Sequence, residues 1–148
     1  MTWREAFDRA LVSGSAASLL SAVALAACGK IERGTPFGPQ NGPSQWIWGE
    51  RAAYRRDASL RYTAVGYGIH HMTSLGWATL HEKHIARLVR DKPFPARLAA
   101  AGLTALVANI VDFQLTPRRL KPGFEKQLSR KSLFAVYAAF ALGLALRR

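Results

Sequence analysis

Cysteine is almost missing from this chain: Cys28 stands alone among 148 residues. A disulfide framework is therefore excluded. Four His and one Cys also exclude zinc ribbons and fingers, which need about four N/S ligands with paired cysteines. Acidic residues are scarce, nine Asp+Glu against 21 Lys+Arg, for a formal net charge of +12. No Gly-rich phosphate loop, GxSxG or HExxH occurs, so the common nucleotide, hydrolase and metalloprotease motifs are missing. At this length one domain is expected, over residues 1–148.

Charge is missing in blocks. No Asp, Glu, Lys or Arg lies from Ala10 to Gly29, Tyr62 to His81, Leu98 to Val111 or Ser132 to Leu146. A bilayer span needs about 20 mostly apolar residues, with a range of roughly 17 to 25. The first two runs meet that directly. The last two reach it when their flanks lie in the interface, where basic side chains snorkel. A soluble helical protein would carry a charged outer stripe at helical period, and the first and fourth runs carry none. The expected fold is all-α, a four-transmembrane-helix bundle with spans at about 10–29, 62–81, 96–115 and 131–147. Its long first hairpin carries a short interfacial helix.

Helix chemistry within these runs is consistent. Small residues recur every fourth position: Ser13, Ala17 and Ser21; Ala100, Thr104 and Ala108; Ala135, Ala139 and Gly143. Such ridges let helices approach closely in lipid. Trp3, Tyr62, Phe94, Phe113 and Phe134 stand at span edges, as in an interfacial aromatic belt. Leu25-Ala26-Ala27-Cys28-Gly29 has the form of a lipoprotein cleavage box. The preceding segment, however, sets Glu5 and Asp8 beside Arg4 and Arg9, without the net positive charge a secretory signal needs. The first helix is expected to stay uncleaved.

The first and third hairpins hold twelve Lys+Arg, against nine for the termini and second hairpin together. Positive-inside reasoning leans toward a cytoplasmic side for those two hairpins. The basic hairpins predict contact with anionic lipid headgroups, worth about 1 kcal/mol per basic side chain near the surface. Their charge forms no single stripe, so nucleic acid is not an expected partner. Within the first hairpin, Gly34 to Pro39 and Asn41-Gly42-Pro43 are turn chemistry. Ser44 is positioned to cap a helix through Arg51. Trp46, Ile47 and Trp48 with Arg51, Arg55 and Arg56 predict an interfacial segment over 44–56, a lid or an amphipathic anchor in which Asn41, Trp46 and Trp48 take part.

Ionisable and polar groups at membrane depth face a bundle interior or water, and each is a site candidate. The second span carries His70, His71 and Ser74, the third Asn109 and Asp112, and the fourth Tyr137. At about 1.5 Å per residue His70, His71, Asn109 and Tyr137, with Ser18 and Ser21 of the first span, fall roughly 9–15 Å from the side of the first and third hairpins, Asp112 being one turn shallower than Asn109. They are taken as one polar intramembrane cluster. No cofactor is expected. His70, His71 and Asp112 are the donors a divalent metal would use, and a His pair from two subunits would suit a haem. The same groups also suit proton relay or simple interhelical hydrogen bonding, about 0.6 kcal/mol per bond. Arg118 and Arg119 are candidate ion-pair partners for Asp112. His81-Glu82-Lys83-His84, one residue short of the zinc-protease spacing, is read as a solvated helix end.

Three segments carry a family resemblance: Asn41 to Gly49, Arg61 to Tyr67 followed by His70 to Ser74, and Thr116 to Leu120 with Pro122 to Glu125. On these the chain resembles an uncharacterised family of small bacterial integral membrane proteins with four predicted spans, over roughly residues 10–146. Mild departures are Gly42-Pro43-Ser44 and Met72-Thr73-Ser74. The resemblance implies a multi-pass protein of the bacterial inner membrane and carries no particular activity with it. The expected function is ion or proton handling, or service as an accessory subunit of a membrane complex or homo-oligomer. Two other readings stay open: a metal-dependent membrane enzyme using His70, His71 and Asp112, and a scaffold that docks a partner through Trp46 and Trp48.

Overall fold

The computed structural model describes residues 1–147, which form helices joined by turns, with no strand among them. Four long helices dominate: α1 (Trp3–Arg33), α2 (Val65–His81), α3 (Phe94–Ile110) and α4 (Arg130–Leu146). The expected spans at 10–29, 62–81, 96–115 and 131–147 fall almost wholly on them. Two helices among the described residues are long and apolar enough to cross a membrane, Trp3–Arg33 and Phe94–Leu115. α2 and α4 have 17 residues each, the lower end of what a span requires. α2 is extended by π-helical turns, Leu60–Ala64 before it and Glu82–Ala86 after it. α3 runs into a third π-helical turn, Val111–Leu115.

Local chemistry sets the helix ends. The Thr2 backbone N–H donates to Glu5 Oε2 at 2.6 Å, and the Glu5 N–H donates to Thr2 Oγ1 at 3.2 Å. That reciprocal capping box starts α1. Gly34, at φ 75°, stops it, supplying the left-handed residue that helix C-termini favour. Ser59 Oγ accepts from the Tyr62 N–H where the helical run of α2 begins. Ser129 Oγ accepts from the Ser132 N–H at 3.2 Å, so Ser129 caps α4.

Contacts group the chain into two compact units. The first comprises Met1–Ser21, His71–Asn109 and the C-terminal stretch from Tyr137; the second comprises Ala22–His70 and Ile110–Val136.

The first unit packs around Ala10 and Ala17 of α1, Ala78 of α2, Ala101 and Ala105 of α3, and Phe140, Ala141, Leu144 and Ala145 of α4. Its interior is made largely of small residues with Phe140 and Leu144, while many large apolar residues of α1 and α3 point outward. On α1, Ser13, Ala17 and Ser18 are fully buried while Val12 is 60% and Leu19 56% exposed. On α3, Thr104 and Ala108 are buried while Leu103 and Leu106 lie open. The ridge expected on α4 is rotated: Ala135 is exposed, and Phe140, Gly143 and Leu144 face inward. A side chain at Gly143 would run into the Ala17 backbone, so a hydrogen is all this crossing admits.

The second unit holds the first and third hairpins. The helix expected from Ser44 through Arg51 is broken. Gly38–Asn41, Gly42–Ser44, Gln45–Trp48 and Glu50–Tyr54 are successive single turns, and Gly49 at φ 85° ends the third. Ser44 does not cap a helix: its Oγ donates to the Asn41 carbonyl at 2.6 Å. Between the hairpins the backbones of Gly42 and Gly123 come into contact, leaving no space for a Cβ on either. Gly123 also needs its positive φ of 84°.

Candidate functional site

In the first unit α2 and the π-helical turn after it present three ionisable side chains to hydroxyl partners. His71 Nδ1 shares a hydrogen bond with Ser18 Oγ of α1 at 3.0 Å. Ser13 Oγ, also on α1, donates to Glu82 Oε1 at 2.8 Å. His81 Nδ1 shares a hydrogen bond with Thr104 Oγ1 of α3 at 2.7 Å. His81 and Glu82 are buried, which corrects their reading as a solvated helix end. Ser13 and Thr104 face inward from apolar runs and supply the partners that make burial tolerable. Nothing local in His81-Glu82-Lys83-His84 signals this, because both partners are far away in sequence.

Arg97, near the start of α3, is buried as well. Its Nη1 donates to the Arg147 carbonyl at 3.1 Å, and its guanidinium carbon lies 5.6 Å from the Phe94 ring centre. The buried Nε has no hydrogen-bond partner among the described residues. His81, Glu82, Arg97 and Arg147 line a cavity of about 10 Å³, the space of one water molecule. Buried carboxylate, imidazole and guanidinium groups around room for one water can exchange a proton or hold one.

The expected cluster is divided between the two units. His71, Ser74, Asn109 and Tyr137 belong to the first, and His70 and Asp112 to the second. Ser74 is buried, Asn109 is half-buried, and Tyr137 packs against the alanine-rich core. His70 is buried in the second unit, edge-on to Phe124 at 6.4 Å and 6.3 Å from the Tyr67 ring. Asp112 lies half-buried in the π-helical turn after α3. Of the two arginines considered for it, Arg118 Nε lies 3.6 Å from Glu50 and Arg119 donates to the Ile47 carbonyl. Among the described residues no group of three or more His, Cys, Asp and Glu is placed to hold a metal ion.

A second polar network, within the second unit, links the hairpins through side-chain amides. Asn41 Nδ2 donates to the Arg55 and Asp57 carbonyls, and its Oδ1 accepts from Thr63 at 2.6 Å. Gln45 Nε2 and Trp46 Nε1 both donate to the Lys121 carbonyl, and Lys126 Nζ donates to Gln45 Oε1. Gln127 Nε2 faces three carbonyls, those of Gly38, Ala53 and Arg55. Trp48 Nε1 donates to the Arg61 carbonyl, and the Arg61 guanidinium stacks 4.5 Å from the Trp48 ring centre. Turn residues leave carbonyls unpaired, and these amides satisfy them. Gln45 and Gln127 were not legible as anchors, although fixed amides between Gly- and Pro-rich turns are the signal to seek.

Two carboxylates in this unit are tuned in opposite directions. Burial pushes Glu125 above the usual carboxylate range, and its Oε2 is buried without a partner among the described residues. The hydrogen bond from exposed Arg55, 3.1 Å away, pulls Asp57 below it. Compared with known proteins, the chain matches no family model, no curated protein and no solved structure.

Proposed function

We propose that this chain is a multi-pass protein of the bacterial inner membrane in which α1–α4 all span the bilayer as a four-helix bundle. In this reading it handles protons or ions through His71, His81 and Glu82, or does so as the accessory subunit of a larger membrane complex. The observation that carries the membrane part is the inverted packing of α1 and α3, with Ser, Thr and Ala inside and Val and Leu outside. Water would drive the large apolar residues inward. Hydrocarbon does not distinguish them from lipid, and it leaves small residues to let backbones approach and hydroxyls to satisfy polar groups.

His71, His81 and Glu82, each hydrogen-bonded to a hydroxyl across a helix contact, support the proton-handling part. Such groups are costly at membrane depth and are usually retained for function. Two measurements test the reading in sequence. The chain should stay in the pellet after alkaline carbonate washing of membranes; recovery in the supernatant refutes the membrane assignment. In liposomes with an entrapped pH-sensitive dye, the wild type should collapse an imposed pH gradient faster than His71→Ala and Glu82→Gln do. Equal rates for all three, matching empty liposomes, refute proton handling and leave the membrane assignment standing.

A further inference from the structure

The turn from α2 to α3 forms a groove of about 560 Å³ lined by Arg90, Asp91, Lys92, Pro93, Phe94 and Arg97. Three of those side chains are cationic and one is acidic. Arg90 and Lys92 make no side-chain hydrogen bond or ion pair among the described residues. Arg97 is 93% buried, counting from its 7% exposure, and uses Nη1 on the Arg147 carbonyl. Among the described residues its buried Nε has no partner, and no hydrogen bond is made by Nη2, the other nitrogen of the same edge. This edge is the planar fork that pairs two oxygens of one anion at once. The neighbouring cavity, where Glu82 and His81 sit, has only about 10 Å³ and admits no more than a water. The groove side has the larger space, and Glu82 is not among the residues that line it.

We propose that this groove is a binding site for a phosphate group, held by the free edge of Arg97 and flanked by Arg90 and Lys92. A buried guanidinium with an unpartnered edge, bordered by two unpaired cations, is the arrangement that takes a phosphate monoanion or diester. Asp91 on the rim disfavours dianions and so favours the diester. At the end of two helices read as spans, the natural source is the headgroup of an anionic lipid. That source, unlike the groove itself, rests on the membrane reading above.

The test uses the full chain in a neutral detergent and follows its thermal midpoint. Short-chain phosphatidylglycerol, short-chain phosphatidylcholine and inorganic phosphate are titrated separately. Phosphatidylglycerol should raise the midpoint, while phosphatidylcholine should not. Arg90→Ala/Lys92→Ala, two exposed or half-buried positions whose loss leaves the fold intact, should weaken the phosphatidylglycerol effect by roughly tenfold or more in concentration. Arg97→Lys keeps the charge and loses the fork, and should weaken it as well. An equal response to inorganic phosphate would keep the site and reassign its source to a free anion. No response to either phosphate, or a response the Arg90/Lys92 variant leaves unchanged, overturns the proposal. Carbonate washing reports separately on the membrane assignment, so the two failures are distinguishable.

Discussion

Ser13 Oγ of α1 donates to Glu82 Oε1 across 2.8 Å, and both residues are closed to solvent. A buried carboxylate needs such a donor, since leaving it unsatisfied costs about 1–3 kcal/mol or more. Ser13→Ala should therefore lower the thermal midpoint in detergent by an amount corresponding to about 1–3 kcal/mol. Ser13→Ala/Glu82→Gln should cost less than the sum of the single changes, because the residues share one contact. Strict additivity in that double-mutant cycle would show that the contact carries no coupling energy.

Gly143 meets the Ala17 backbone, and the crossing of α4 on α1 leaves no space for a side chain there. Gly143→Leu should force the helices apart and destabilise the chain by about 1–3 kcal/mol, the usual range for overpacking. Phe134→Leu, at an exposed position of α4, should change stability by no more than about 0.5 kcal/mol. Similar midpoints for the two variants would contradict the tight crossing.

The Gln127 amide serves carbonyls on both sides of the first hairpin. Gln127→Leu removes the donor and should cost about 1–3 kcal/mol for each carbonyl that water cannot reach. Hydrogen exchange followed by mass spectrometry is the appropriate measurement. Amides over residues 38–57 should exchange faster, while those of α3 keep their wild-type protection; unchanged rates over 38–57 would count against the anchor.

Glu125 and Asp57 give opposite pH slopes. Burial raises Glu125, so the folded chain holds its proton to higher pH than the unfolded chain does. The stability it contributes is fully present below the ordinary carboxyl value of about 4.3 and is lost as pH rises through the folded value. The Arg55 hydrogen bond lowers Asp57. Its contribution is present above about 3.9 and is lost as pH falls through its folded value. Glu125→Gln should flatten the decline in thermal midpoint between about pH 4 and 7. A decline as steep as in wild type would mean that another group controls it.

Much of the helical layout is legible in the sequence because charge is excluded from long runs and the caps are local. Thr2 and Glu5, Ser59, Ser129 and Gly34 lie within a few residues of the ends they set. The candidate site is legible only in part. His71 and Ser18 share a depth by simple counting along their helices, and they do meet. His70 lies one position away but points about 100° around the helix, and it packs on Phe124 in the other unit. Glu82 and His81 were hidden because their partners, Ser13 and Thr104, are distant in sequence.

The sequence places the four long helices and their ends, since apolar runs, caps and turn residues act over distances of one or two helical turns; the helix it predicts from Ser44 through Arg51 does not form. It also determined that the hairpins would be basic. The packing of the helices sets which face of each turns inward, and therefore which of many serines and alanines are buried. It likewise decided that the first hairpin would be a string of single turns tied down by Asn41, Gln45 and Gln127. The physical reason is that a hydrogen bond needs its partner within about 3 Å. Residues far apart in the chain reach that distance only once the helices have packed.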